Sequence, residues 1–172
     1  MACSNITAGF TLDCNDSNGG IDKIFIANGP VESITETSGL VTAITVGGSA
    51  LAPADFFEFE VPRQTSSATE TITVSQENGT VFYDQALTMV FNKMEADKRN
   101  QILLMAEATS MVVVFKDNNG KYFSIGLERG AYTSAGTATS GTAYGDRSGY
   151  EITISGQETA PMYEITSTIV EA

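Results

Sequence analysis

The chain has 172 residues, 42% hydrophobic and 17% charged, with a formal net charge of −12 at pH 7. This length favours one domain with its own core, and the negative charge argues against tight nucleic-acid binding because it repels phosphates. Histidine is absent, which excludes every catalytic or metal arrangement that needs an imidazole.

The first twenty residues predict an N-terminal arm rather than core. Residues 1–20 are small and polar with isolated hydrophobes, and residues 15–20 have the composition of a turn or loop. Cys3 and Cys14 are the two cysteines; we expect free thiols because a core of this size needs no disulfide, while pairing between them stays open. No targeting signal or bilayer-spanning stretch is visible, so we expect a soluble chain made in a cytoplasm, without direct membrane insertion.

Four strands are predicted over residues 21–61. The first three are a buried strand at 21–27, an edge strand at 31–37 and a strand at 41–46, followed by a small-residue loop at 47–54. The fourth, at 55–61, alternates with a period of two between a core face and a mostly acidic face. Its core face holds Phe57, Phe59 and Val61, and the opposite face holds Phe56, Glu58 and Glu60.

A hairpin and a helix are predicted next. Strands at 69–76 and 81–91 flank Asn78-Gly79, a dipeptide typical of tight turns because it tolerates positive φ. On the second strand Asp84 lies on the face opposite the apolar side chains. A helix over about 93–108 follows, with Asn92 as N-cap, Glu95 completing a capping box, and an apolar patch for burial at Ile102, Leu103, Met105 and Ala106.

The C-terminal part predicts a second hairpin, a loop and two final strands. Val112–Val114 begin a strand that turns at residues 117–120 into a strand ending at 128. Residues 129–149 are rich in glycine and threonine and are interpreted as a surface loop. We expect a strand at 150–155 to pair with a last strand at 162–169. The chain is thus a single mainly β domain over 1–172, a β-sandwich or barrel-like fold with one flanking α-helix and extended loops.

No arrangement of side chains favours catalysis, a cofactor or a metal. The acidic and amide residues at 13–18 and 117–119 suggest a calcium loop only weakly, because glycine falls at the wrong step and no bidentate glutamate closes either segment. Glu58 with Glu60, or Glu151 with Glu158, offers a glycosidase-like carboxylate pair as the less favoured interpretation. Asp146 is interpreted as a turn residue, with Gly149 supplying a backbone conformation that other residues resist.

From Asn78 onward the order of elements resembles the tail tube, or major tail, proteins of long-tailed bacteriophages. The resemblance covers about the C-terminal half and includes the run Gly145-Asp146-x-x-Gly149-Tyr150-x-Ile152-Thr153-Ile154-x-Gly156-x-Glu158-x-x-Pro161. It implies a β-sandwich flanked by a helix that assembles as stacked hexameric rings around a channel for DNA. The tube proteins of contractile injection and type VI secretion systems share that architecture and remain an alternative.

The resemblance implies a virion protein of the tail, assembled in the host bacterial cytoplasm, with itself and other tail proteins as partners. DNA would pass transiently through an acidic channel, for which Glu58, Glu60 and Asp84 are the candidate lining residues. A β-sandwich binding module, an adhesin or carbohydrate-binding domain, is the rival from another class. Tyr132 and Tyr144 are its candidate aromatic contacts, because the chain has no tryptophan.

Overall fold

A computed structural model describes residues 6–171 as two β-sheets with one α-helix packed against them. The predicted mainly β fold with a flanking helix is confirmed. Two 3₁₀ turns lie at Pro53–Asp55 and Ser167–Ile169. The other elements are β1 Ile21–Asn28, β2 Val31–Thr37, β3 Leu40–Val46, β4 Ser49–Ala50, β5 Phe57–Glu60, β6 Ser67–Ser75, β7 Thr80–Asn92, α1 Ala96–Glu107, β8 Met111–Asp117, β9 Tyr122–Ile125, β10 Tyr132–Thr139, β11 Gly149–Glu158 and β12 Glu164–Ile165.

The larger sheet has the order β2-β3-β12-β9-β8-β1-β5, with β4 paired to β3. Its pairs are antiparallel except for β12 with β3. β8 lies well inside the sheet, and its successive residues Val112, Val113 and Val114 are all fully buried. A run of β-branched residues without polar alternation suits this position, because both faces of the strand meet apolar neighbours.

The smaller sheet has the order β10-β11-β7-β6 and is antiparallel throughout. Along β7, Leu87 and Met89 are fully buried against the larger sheet, while Ala86 and Thr88 are only half-buried. Because side chains alternate along a strand, the second pair points away from the sandwich. The smaller sheet therefore has one apolar face and one outward face.

Two apolar cores hold the layers together. The first lies between the sheets, where Ile24 of β1 belongs to the same cluster as Leu87 of β7. The second lies on the other face of the larger sheet, where Phe25 packs in one cluster with Ile44 and with Val170 near the C-terminus. Neighbouring residues of β1 therefore contribute to different cores, which explains why that strand is buried on both faces.

The helix begins later than predicted. α1 starts at Ala96, whereas the predicted span was 93–108 with Asn92 as N-cap. Asn92 is instead the last residue of β7, and Glu95 occupies the N-cap position without a side-chain capping bond. Lys93 adopts a φ of 65°, which turns the chain between strand and helix. Asn92 does not cap the helix because its pairing with β11 keeps it in β7.

The predicted loop at 129–149 is wrong over most of its first half. β10 occupies Tyr132–Thr139 and pairs with β11. Its side chains are almost all small and exposed, so the segment shows none of the apolar alternation that marks a strand in sequence. The connecting loop is limited to 140–148.

The predicted last strand, at 162–169, is wrong in extent and in partner. β12 has two residues, Glu164–Ile165, and it pairs with β3 and β9 rather than with β11. β11 already has β7 and β10 as its two neighbours. The chain after β12 instead forms a 3₁₀ turn whose Ile169 enters the second core.

Two local predictions need correction in β5 and in the β6–β7 turn. Phe59 packs against the first core as predicted, but Phe57 is 59% exposed and Phe56 is buried in the second core. Phe56 does lie on the face of Glu58, opposite Phe59, but that face packs against the second core at this end of the strand instead of facing solvent. In the hairpin, Ser75 pairs with Thr80, which leaves a four-residue turn with positive φ at Gly79 alone rather than at both turn residues.

Candidate assembly surfaces

The outward face of the smaller sheet is rich in hydroxyl groups and is called here the hydroxyl face. None of its polar side chains is buried. Strand pairing brings these residues side by side across β6, β7 and β11. Its members include Thr69, Thr71 and Thr73 of β6, Asp84, Ala86 and Thr88 of β7, and Glu151, Thr153, Ser155 and Gln157 of β11; the apolar Phe82 and the buried Val90 of β7 lie on the same face.

Side chains on the hydroxyl face bond mainly to one another. The Nε2 of Gln157 donates to Oδ1 of Asp84 at 2.9 Å, and the hydroxyl of Thr73 donates to Oδ2 of the same carboxylate at 3.4 Å. The hydroxyls of Thr88 and Thr153 lie 3.5 Å apart. The result is a hydrogen-bonding surface with two acids: Asp84, which has no cationic partner within the described residues, and Glu151, which pairs with Arg147.

The structure does not bring the three candidate channel acids together. Glu58 and Glu60 lie on β5, at the edge of the larger sheet, where Glu58 pairs with Lys23 at 2.8 Å. Asp84 lies in the middle of the smaller sheet, on the hydroxyl face. Glu58 is aligned with Phe25 of the second core, so its side of the sheet faces away from the smaller sheet. Glu58 and Glu60 therefore occupy one surface of the subunit and Asp84 another.

The β6–β7 hairpin extends beyond the rest of its sheet and carries exposed apolar side chains. The pairing of β11 with β7 ends at Tyr83, while β6 follows β7 to the turn. Beyond that point Ile72, Val74 and Val81 are 60%, 63% and 52% exposed. We call these three residues the apolar strip. Alternation places Ile72 with Val74 on one face of β6 and Val81 with Leu87 on one face of β7; sequence alone does not show that the larger sheet leaves the three side chains uncovered.

The N-terminal segment at 6–19 contains no helix or strand and is exposed throughout. Its last residues are tied to the β8–β9 turn, where Asn119 accepts the N–H of Asn18 at 2.8 Å and Asn118 donates to the carbonyl of Gly19 at 2.7 Å. Further out, large apolar side chains contact nothing in their own subunit: Ile6, Phe10 and Leu12 are at least 96% exposed. Cys14 is also exposed, while Cys3 lies outside the described residues.

Glu158 is the buried acid of the described chain and organises the loop after β9. Its carboxylate accepts the N–H groups of Glu128 and Arg129 at 3.0 and 3.1 Å. Burial raises the pKa of Glu158 above its ordinary value, against the opposing effect of these two bonds. Nearby, the buried Gln85 accepts the N–H of Gly126 at 3.3 Å. These contacts satisfy backbone donors, which is a structural role.

A second polar cluster ties the C-terminal end to the larger sheet. The Glu171 carboxylate accepts the hydroxyl of Tyr122 at 2.6 Å and lies 3.4 Å from Nζ of Lys116. The Tyr122 bond, with Lys116 beside it, lowers the pKa of Glu171. Lys23 bridges this cluster to Glu58. The charged groups of the cluster are all partly exposed, so its ion pairs contribute modestly to stability.

The alternatives that involve catalysis or metal binding find no geometric support. The Asp117 carboxylate accepts N–H groups of Asn119 and Lys121, so it closes a turn. Glu151 pairs with Arg147 on the outward face, whereas Glu158 is buried on the inward face. Within residues 6–171 no group of three potential metal ligands converges. A groove of about 590 Å³ is open and lined by residues such as Lys23, Glu60 and Arg63.

Comparison with protein-family models gives no match, and comparison with curated proteins gives none either. In the described part of the chain, α1 is too short and too polar to cross a membrane. The observation that bears on the resemblance to tail tube proteins is therefore the fold, which has two sheets and one helix.

Proposed function

We propose that this chain is a structural subunit of a phage tail tube. In this proposal it assembles as stacked hexameric rings around a channel through which DNA passes, together with other tail proteins, in the host bacterial cytoplasm. The support is the resemblance over the C-terminal half together with the mainly β, two-sheet architecture and its single flanking helix. No residue in the proposal has a catalytic role.

The hydroxyl face is the observation that carries the proposal. A sheet in a sandwich buries one face, and its other face meets either water or another molecule. Here the outward face is covered with threonine and serine and bears few charges, so it suits a hydrated wall. Such a wall offers DNA no salt bridges, and a polymer that must slide needs a surface that does not hold it.

The charge of the subunit supports the same role. The net charge is −12, and five of the cations, Lys23, Lys98, Lys116, Lys121 and Arg147, are engaged in ion pairs with acids. Few cationic side chains are therefore available to bind phosphates. Because like charges repel over about 8 Å at physiological salt, an assembly of such subunits keeps DNA away from its surfaces.

The position of the candidate acids narrows the proposed channel lining. Asp84 lies on the hydroxyl face, on the inner strand β7 and near the end of its pairing with β11, so the proposal keeps it as a lining residue. Glu58 pairs with Lys23 on the edge strand of the other sheet. We therefore assign Glu58 and Glu60 to a surface other than the channel.

Electron microscopy of the purified chain tests the assembly. Negatively stained samples over a range of concentrations and salt are expected to contain rings or tubes with a central channel. Monodisperse monomers under every condition would contradict the proposal.

The lining is tested by reversing the charge of Asp84. In tubes of the Asp84→Lys variant, each ring would present several ammonium groups to DNA, and we expect co-sedimentation with double-stranded DNA at physiological salt. Glu107→Lys is the matched control, since it makes the same charge change on exposed α1. Wild-type tubes should not retain DNA. Equal retention by both variants would argue against Asp84 as a lining residue.

Tube proteins of contractile injection and type VI secretion systems are the nearest alternative, because they share the ring architecture. A tube of that kind carries no DNA, so tubes isolated from producing cells separate the two cases. Nuclease-protected DNA within them supports the phage tail, and its consistent absence supports the injection system.

A binding module is the second candidate, favoured by one observation. Tyr144, in the turn between β10 and β11, is fully exposed, and Tyr132 is 46% exposed. Exposed aromatic rings are common in carbohydrate sites. A glycan-array signal from a stable monomer, lost in the Tyr144→Ala variant, would favour this function over the tube.

A further inference from the structure

We propose that residues 6–12 form a β-strand that pairs with the free edge of β6 in a second copy of the chain. The inference rests on the self-assembly proposed above and names one contact by which copies hold each other. It follows from an unpaired segment with the sequence of a strand and from an unpaired edge with matching side chains.

Residues 6–12, which we call the donor segment, have the sequence of a strand but pair with no other strand within residues 6–171. In Ile6-Thr7-Ala8-Gly9-Phe10-Thr11-Leu12 the apolar and small polar residues alternate with a period of two. Ile6, Phe10 and Leu12 are at least 96% exposed in their own subunit. Three large apolar side chains in water on one segment cost free energy that burial against a partner would recover. An exposed apolar surface of this kind marks an interaction site.

Five strands have a free edge in the described part of the chain: β2, β4, β5, β6 and β10; β4, with two residues, is too short for a seven-residue partner. β2 carries two glutamates and none of the exposed large apolar side chains, and charged edges discourage pairing; β6 carries one glutamate, Glu70, beside the exposed Ile72 and Val74. β5 has four residues, too few for a seven-residue partner. β10 contacts α1, where Thr133 donates to the carbonyl of Met105. β6 is the remaining edge, with nine residues.

Both faces of β6 match the donor segment. On one face Ile72 and Val74 of the apolar strip are exposed, and they would cover the apolar side chains of the segment. On the other face Thr69, Thr71 and Thr73 lie where Thr7 and Thr11 would join them as cross-strand neighbours. Seven extended residues span about 24 Å and nine span about 30 Å, so the lengths fit.

The acceptor is a second copy rather than the same chain. The root of the segment already lies near its own β6, since Asn18, Gly19 and Ser67 line one groove. Nevertheless, in the single chain the apolar residues of the segment leave the edge empty. A strand added from another copy supplies main-chain hydrogen bonds to an edge that would otherwise remain exposed to unwanted pairing.

Photo-crosslinking from position 10 tests the pairing. Phe10 is replaced by benzoylphenylalanine in the full chain, which is mixed with a ¹⁵N-labelled copy, irradiated and analysed by mass spectrometry. The expected product links position 10 to residues 67–75 of a differently labelled copy. A link within one copy, or no link to β6, would overturn the inference.

Charged substitutions give an independent measurement. Phe10→Asp with Leu12→Asp should weaken self-association at least tenfold in analytical ultracentrifugation, and Ile72→Asp should do the same from the acceptor side. Thr7→Asp with Thr11→Asp is the matched control for charge, because it leaves the apolar face intact and should weaken association less. Circular dichroism checks that all variants fold. Equal association of the apolar and threonine variants would overturn the inference.

The outcomes separate this inference from the tube proposal. Rings or tubes that form without the link between position 10 and β6 leave the tube proposal standing and overturn the strand exchange. Linked dimers or chains that never form rings support the strand exchange and contradict the tube.

Discussion

At the scale of single residues, Gly149 shows how one missing atom permits a strand pair. The sequence predicted that this glycine supplies an unusual backbone conformation, yet its φ is not positive. A Cβ at this position would instead lie 2.0 Å from the carbonyl oxygen of Phe91. The glycine is needed because β11 approaches β7 closely at its first residue. A sequence identifies such a glycine, but not which of the two reasons requires it.

Gly149→Ala is expected to destabilise the fold by about 1–3 kcal/mol, because the new methyl group must displace backbone rather than a side chain. Urea unfolding followed by circular dichroism measures the change. Gly145→Ala is the control: a Cβ there meets nothing within 4 Å, so this variant should be as stable as the wild type or slightly more stable. Equal midpoints for the two variants would contradict the close approach at Gly149.

Glu158 predicts a pH dependence. Burial raises the pKa of its carboxyl above the ordinary 4.5. The unfolded chain therefore ionises first, so the stability linked to this group is fully present below pH 4.5 and is lost as pH rises through the folded-state pKa. Glu158→Gln removes this titration. We expect its free energy of unfolding, relative to wild type, to increase between about pH 4 and pH 7.

Urea unfolding of wild type and Glu158→Gln in parallel at several pH values measures this difference. The variant also loses one acceptor for the N–H groups of Glu128 and Arg129, which lowers its stability at every pH. The part of the difference in free energy of unfolding that varies with pH can thus be separated from the part that is the same at every pH. A difference that does not vary with pH would show that Glu158 ionises alike in both states.

At the scale of elements, sequence patterns predicted strands where apolar residues alternate or cluster, and failed where packing decides. β1 and β8 are visible because of their apolar, largely β-branched runs. β10 was not predicted because its small exposed side chains show no hydrophobic periodicity. Its pairing with β11 depends on tertiary structure, which the local sequence does not show. The helix was predicted to begin too early because local capping rules take no account of strand pairing, which extends β7 to Asn92.

The helix provides the test at this scale. Of its apolar residues Met105 is buried in the first core, whereas Leu104 is 59% exposed. Met105→Ala should therefore destabilise the chain by about 2–5 kcal/mol, and Leu104→Ala by less than about 0.5 kcal/mol. Thermal and urea unfolding compare the two. A larger loss for Leu104→Ala would mean that α1 packs through a different face.

At the scale of the whole molecule, the sequence predicted the overall fold class but not the surfaces. Charge and composition indicated acids on polar strand faces, and the structure separates Glu58 and Glu60 from Asp84 by placing them on different sheets. The hydroxyl face forms only when β6, β7 and β11 are aligned, and the sequence of any one strand does not predict that alignment. The exposure of the apolar strip depends on where the larger sheet ends, and alternation along β6 and β7 does not show this.

The net charge of −12 makes a prediction for self-assembly as a whole. Subunits of equal charge repel, and the contacts inferred between copies are apolar and main-chain rather than ionic. Raising the salt concentration from about 0.01 M to about 0.15 M shortens the screening length from about 30 Å to about 8 Å, so assembly should increase. Light scattering and sedimentation measure the assembled fraction at fixed protein concentration, with sucrose as a control for non-ionic effects. Dissociation on adding salt would instead indicate an interface built from ion pairs, against both the hydroxyl-faced ring and the exchanged strand.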